Sequence, residues 1–123
     1  MDKIEIKEDC KVIDAQNAML NGSYFNDVAM SNVKIINANL SDLEIEGAQI
    51  GGAFIHNIGG PPKDHPAYDP NFKQRPVKFE DCDLNSSTFT NCDLTGVAIS
   101  NCNIDGLTIN GVNISDFLKE YGK

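Results

Sequence analysis

At 123 residues, 41% of them apolar, the chain has room for one domain with one core. Ten basic against 18 acidic residues leave a formal net charge of −8, which argues against direct binding to nucleic-acid phosphates or to an anionic membrane and favours a basic protein partner. No apolar run approaches the roughly 18 residues of a membrane-spanning segment.

The N-terminal stretch from Met1 to Lys11 alternates charged and apolar residues and lacks the apolar core of a secretory signal, so a cytoplasmic location with reduced thiols is expected. Residues 1–17, with Ile4, Ile6, Val12 and Ile13, read as strand segments that form an N-terminal cap.

From residue 18 to 58 a period of five takes over. Its apolar centres are Leu20, Phe25, Met30, Ile35, Leu40, Ile45, Ile50 and Ile55, each preceded two places earlier by a small or apolar residue. A helix repeats every 3.6 residues and a strand every 2, so neither element accounts for a strict five. If each unit is a short extended stretch ending in a corner, a centre and the residue two before it face one interior, and four units close a square coil. Asn, Asp, Ser, Thr and Gly fill the remaining places, as corners require. Asn21-Gly22, Glu46-Gly47, Thr95-Gly96, Asp105-Gly106 and Asn110-Gly111 put Gly two places after a centre, where a tight corner calls for φ > 0.

Residues 59–76 break the period with Gly59-Gly60-Pro61-Pro62, Pro66, Pro70 and Pro76, which reads as an extruded loop. Irregular loops on regular scaffolds often hold function, which makes His56, His65, Tyr68 and Arg75 candidates for partner recognition. The two histidines lie at no specific metal-ligand spacing, so no metal is expected.

The period resumes over residues 77–115, with centres Phe79, Leu84, Phe89, Leu94, Ile99, Ile104, Ile109 and Ile114. The tail, 116–123, reads as a short capping helix with Ser115 as its N-cap and Phe117, Leu118 and Tyr121 grouped on one side.

The stretches Ala38-Asn39-Leu40-Ser41-Asp42, Cys82-Asp83-Leu84-Asn85-Ser86 and Cys92-Asp93-Leu94-Thr95-Gly96 resemble the A(D/N)LXX unit of pentapeptide-repeat proteins. That resemblance implies an all-β fold, a right-handed quadrilateral β-helix, here of about four coils by the count of centres. Relatives that associate through their C-terminal ends imply a homodimer contact at Phe117 and Tyr121.

With the loop leaving and re-entering between consecutive sides, centres twenty apart stack. One side then carries Glu44, Glu46, Asp83 and Asp105, and its corner adds Asp42, Glu80 and Asp81. This acidic side is the expected partner-binding surface. The bland reading of the same residues is a solvated face that keeps the protein soluble. The sharper one is an acidic mimic of a nucleic-acid backbone that binds a topoisomerase, and the resemblance implies DNA gyrase as its target.

No nucleophile with an adjacent base, paired carboxylates or phosphate-binding glycine loop is present, so neither an enzyme nor a cofactor is expected. The reading is a non-catalytic protein-binding scaffold, with the topoisomerase-directed mimic as the alternative and a bare structural module as a third.

The stacking places Cys82 and Cys102 on one interior ladder and Cys92 on the opposite wall, where parallel Cβ vectors are unsuited to a disulfide. Cys82, Cys92 and Cys102 are therefore expected as buried thiols, and all four cysteines, Cys10 included, as free. Titration of the denatured protein is predicted to find all 4 cysteines reactive; fewer would reveal a bridge.

Overall fold

The computed structural model describes residues 2–122, and Met1 and Lys123, the outer ends of the two expected caps, lie outside the described residues. Its dominant feature is local. Every fifth residue of the repeat blocks passes through the left-handed region: Asn17, Gly22, Asp27, Asn32, Asn37, Asp42, Gly47, Gly52 and Asn57, then Asp81, Ser86, Asn91, Gly96, Asn101, Gly106 and Gly111. From Gly22 onward each lies two places after an apolar centre. Glycine takes this conformation without a Cβ penalty, and Asn and Asp tolerate it because their short polar side chains bond locally. Ser86, with φ of 59°, is the residue in this series without either advantage.

Six of these corners are closed by a backbone bond from the third residue after the centre back to the centre's carbonyl. Ser23 donates to Leu20 at 3.2 Å, Leu43 to Leu40 at 3.1 Å, Ala53 to Ile50 at 2.9 Å, Ser87 to Leu84 at 3.2 Å, Val97 to Leu94 at 3.0 Å and Leu107 to Ile104 at 3.0 Å. Positive φ at the third residue of such a turn is the signature of type II. In the second block the closed turns recur every ten residues and alternate with open bends at Asp81, Asn91 and Asn101.

The chain divides into two compact units, Met1–Arg75 and Pro76–Lys123. In the first, residues 59–75 contain a succession of turns, with His65 donating to Pro62 O, Tyr68 to His65 O and Phe72 to Asp69 O. Gly60 lies so close to Phe72 that a Cβ there would meet the ring at 2.7 Å.

The second unit holds the regular elements. Strands β1 (Thr108–Ile109) and β2 (Val112–Asn113) pair antiparallel, Thr108 opposite Asn113 and Ile109 opposite Val112. Asn110 and Gly111 join them with φ of 49° and 82°, the two positive values of a type I′ hairpin turn, whose twist suits the flanking strands. Helix α1 (Ile114–Tyr121) comes directly after β2. Its N-cap is Asn113, not Ser115: the Asn113 side chain accepts from Asp116 N–H at 3.0 Å. Gly122 N–H closes the other end on Leu118 O at 2.9 Å.

Several expectations are corrected here. No β-helix or other solenoid forms among the described residues, whose regular structure is two short strands and one helix. The N-terminal residues 2–17 hold no strand. Centres expected on a dry axis are in solvent, Leu40 being 47% exposed, Ile45 66%, Leu84 37% and Leu94 52%. No described residue is buried; Ile104, Leu107, Asn113, Ile114 and Ser115, at the hairpin and helix start, and Pro61 are half-buried.

The physical reason is the range of the backbone bonding. A stacked coil needs ladder bonds between residues about a full coil apart, whereas among the described residues the backbone bond that spans most sequence, apart from those internal to the helix and hairpin, runs from Ile114 N–H to Leu107 O. Corners are formed; coil-to-coil ladders are not. No helix among the described residues is long and apolar enough to cross a membrane.

Asn113→Ala removes the acceptor for the first free N–H groups of α1 and is predicted to weaken the helix by about 0.5–2 kcal/mol. Far-UV circular dichroism should show the loss, while Ser115→Ala leaves the helical signal near wild type; the reverse order would contradict the Asn113 cap.

Candidate interaction surface

Four repeat units carry a second device that spacing alone did not reveal, in which the Asn or Asp before the centre reaches its side chain over that centre to the next N–H. Asn39 Oδ1 accepts from Ser41 N–H at 3.1 Å, Asp83 from Asn85 at 3.0 Å, Asp93 from Thr95 at 2.9 Å and Asn103 from Asp105 at 3.0 Å. Three of these oxygens take a second bond, Asn39 from Ser41 Oγ, Asp83 from Asn85 Nδ2 and Asp93 from Thr95 Oγ1. These are Asx turns, in which a side chain stands in for a backbone carbonyl. The Asp/Asn of the A(D/N)LXX unit is the signal that could have found them.

The expected acidic surface is divided between the two units. In the first, Asp42 occupies a left-handed corner and grips Arg75 in a bidentate pair, with Oδ1 and Oδ2 at 2.8 and 3.0 Å from the guanidinium nitrogens. A residue read as partner-binding and one read as a loop candidate thus engage each other, tying the end of the irregular segment to a repeat corner. The hydrogen bonds from Arg75, and then its charge, hold the Asp42 carboxyl below its ordinary range. Glu44 and Glu46, from the same expected side, carry exposed carboxylates without an ion pair among the described residues.

In the second unit Glu80 pairs with Lys78 at 2.8 Å, and that hydrogen bond and charge lower its pKa. Asp83 is lowered by the Asn85 side chain and backbone, and Asp93 by the Thr95 hydroxyl and backbone. Asp81 forms a left-handed corner at φ of 54°, and Asp105 is the second residue of the closed turn from Ile104 to Leu107. All these groups are exposed, so their pairs add little to stability and chiefly fix where charge is held.

Among the other loop candidates, His56 stacks on Phe54 with ring centroids 4.0 Å apart. His65 folds its Nδ1 back to accept from Ala67 N–H at 3.0 Å, in the same manner as the Asx turns. Tyr68 is 41% exposed. On α1, Phe117 and Tyr121 stack at 6.2 Å, one helical turn apart.

A cleft of 510 Å³ in the first unit is lined by Met30 to Val33 and Gln49 to Phe54 and holds no titratable group. The described residues contain no cluster of His, Cys, Asp and Glu arranged to hold a metal.

All four cysteines are unbridged and exposed, whereas the stacking required Cys82, Cys92 and Cys102 to be buried. Cys82, Cys92 and Cys102 are equivalent: each thiol donates to the carbonyl two residues earlier, at 3.2, 3.4 and 3.2 Å. Each reaches back over the open bend just before it, so the shared geometry is local and owes nothing to an interior wall.

Corners at every fifth residue define a tandem-repeat chain. Residues 78–116 match the family model for pentapeptide repeats, in eight copies, which establishes the resemblance over that part of the chain. The eight copies correspond to the eight centres from Phe79 to Ile114. This is a repeat family of non-catalytic character, and no catalytic family is matched. No curated protein and no solved structure matches the chain.

The two aspartate turns should titrate. Their pKa values lie below the ordinary 3.8, so their contribution is complete above that value and is lost as pH falls through the lowered one. Nuclear magnetic resonance is predicted to show the Asn85 and Thr95 amides losing their hydrogen-bonded shifts below the ordinary aspartate range. Asp93→Asn should keep the turn and abolish the dependence at Thr95, because an amide oxygen accepts without titrating.

Proposed function

We propose that this chain is a non-catalytic scaffold that binds a basic protein partner through carboxylates held at its repeat corners. The observation that carries this reading is the placement of acids on turns in the second unit. Glu80, Asp81, Asp83, Asp93, Asp105 and Asp116 are its acidic residues from Phe79 to Leu118, and that stretch contains no Lys or Arg.

Of these, Asp81 is itself a corner, Asp83 and Asp93 close Asx turns, and Asp105 lies within the closed turn from Ile104 to Leu107. Carboxylates on fixed turns lose little conformational freedom on binding, and like charge along one segment steers a cationic partner and rejects an anionic one. The pentapeptide-repeat match over this segment supports a binding role over a catalytic one. Glu44 and Glu46 extend the same chemistry within the first unit, whereas Asp42 is already engaged by Arg75. His56, His65 and Tyr68 offer rings for partner contact beside the turns of 59–76. Phe117, 54% exposed, and Tyr121, 80% exposed, form an apolar patch suited to a second copy of the chain.

Affinity capture from native extract is predicted to recover a basic protein whose binding weakens as salt rises. Asp81→Asn together with Asp105→Gln should reduce that binding several-fold while preserving the turns, since Asn tolerates the left-handed corner at 81 and the turn around Asp105 is closed by the backbone of Leu107 and Ile104. Recovery of no specific partner, or binding indifferent to both salt and these substitutions, would refute the proposal.

A further inference from the structure

Two Asn-Gly pairs occur at repeat corners, Asn21-Gly22 and Asn110-Gly111, and the structure treats them differently. We infer that Asn21 is a site of spontaneous covalent modification, in which the Gly22 backbone nitrogen attacks the Asn21 side-chain amide while the equivalent reaction at Asn110 is held back.

The chemistry needs three conditions: an exposed carboxamide, an adjoining backbone nitrogen that is unhindered and unbonded, and freedom to rotate until the two meet. Asn21 is exposed. Gly22 has no Cβ, and nothing lies within 4 Å of the place a Cβ would take. Its N–H donates no hydrogen bond among the described residues; the turn is closed by Ser23, whose N–H and Oγ both donate to Leu20 O, at 3.2 and 2.7 Å. The backbone bond is among the longest of those closing the corners, and no strand pairs with either flank.

Asn110 has the same neighbour but lacks that freedom. It is held at φ of 49° between β1 and β2, with Ile109 and Val112 paired across the turn and α1 continuing from β2. Rotation about Asn110 toward the attacking geometry breaks the hairpin first.

At Asn21 the Gly22 nitrogen, after losing its proton to hydroxide, bonds to Cγ. The Cγ–Nδ2 bond breaks and Nδ2 leaves as ammonia, taking its proton from water. The resulting five-membered imide is opened by water at either carbonyl, yielding an aspartyl or an isoaspartyl residue, with no change of oxidation state. Both products add a negative charge. The isoaspartyl form also inserts a carbon into the main chain beside Leu20, which breaks the five-residue spacing at that corner.

The test is to incubate the full chain at mildly alkaline pH and to map its peptides by mass spectrometry over time. The Asn21 peptide should gain the mass of an amide-to-acid exchange several-fold faster than the Asn110 peptide and contain both product isomers. In strong denaturant the two rates should converge, because only the fold distinguishes the sites. Asn21→Gln, which would have to form a larger ring, should lose the rapid conversion. Equal rates in the native protein, faster conversion at Asn110, or an aspartyl product without its isomer would overturn the inference.

Discussion

A left-handed backbone corner at every fifth residue is the constraint on which the rest of this chain depends. An L-residue there brings its Cβ toward the carbonyl oxygen, at a cost of roughly 1–2 kcal/mol that glycine escapes and Asn or Asp offsets through local bonds. The choice of residue types reflects that cost. Gly, Asn and Asp occupy every corner from Asn17 to Asn57, and in the second block Ser86 is the departure. Beside the corner, the residue before the centre can add an Asx turn, as Asn39, Asp83, Asp93 and Asn103 do. Each of these four units therefore contains a side-chain acceptor, an apolar centre and a left-handed residue in fixed order.

This arrangement links structure to charge. A carboxylate in a repeat corner has its position set by the same bonds that turn the chain, so acidity and geometry are not independent features. Asp83 and Asp93 are acceptors for the backbone and negative charges at once, and the bonds they accept lower their pKa. Asp42 shows a different use of a corner acid, holding Arg75 and thereby closing the irregular segment onto a repeat. Acidic residues that look alike in sequence divide into those that support a turn, those that bind an internal cation and those left open to solvent.

Much of the local structure was legible. The Gly residues two places after a centre were assigned to corners needing φ > 0, and Gly22, Gly47, Gly96, Gly106 and Gly111 all have it. The eight second-block centres correspond to the eight repeats matched. Two signals went unread: Asn110-Gly111 between apolar residues marks a hairpin, and Asn113 with Asp116 three places later marks a helix start better than Ser115 does. Both are short-range patterns, hidden because a strict period of five invited every residue to be assigned to the same corner.

What the sequence determined by itself is the rhythm of the chain: where it turns, which residue types turn it, and which side chains bond across Leu40, Leu84, Leu94 and Ile104. Such features depend on steric and hydrogen-bonding preferences within about five residues, which composition and spacing encode directly. Only the tertiary structure decided that all the centres but Ile104 and Ile114 stay in solvent, that Asp42 meets Arg75 thirty-three residues away, and that the acidic groups fall in separate units. Burial and pairing at that range depend on which distant segments bond to one another, and a repeat whose units all look alike carries no label that selects the partner.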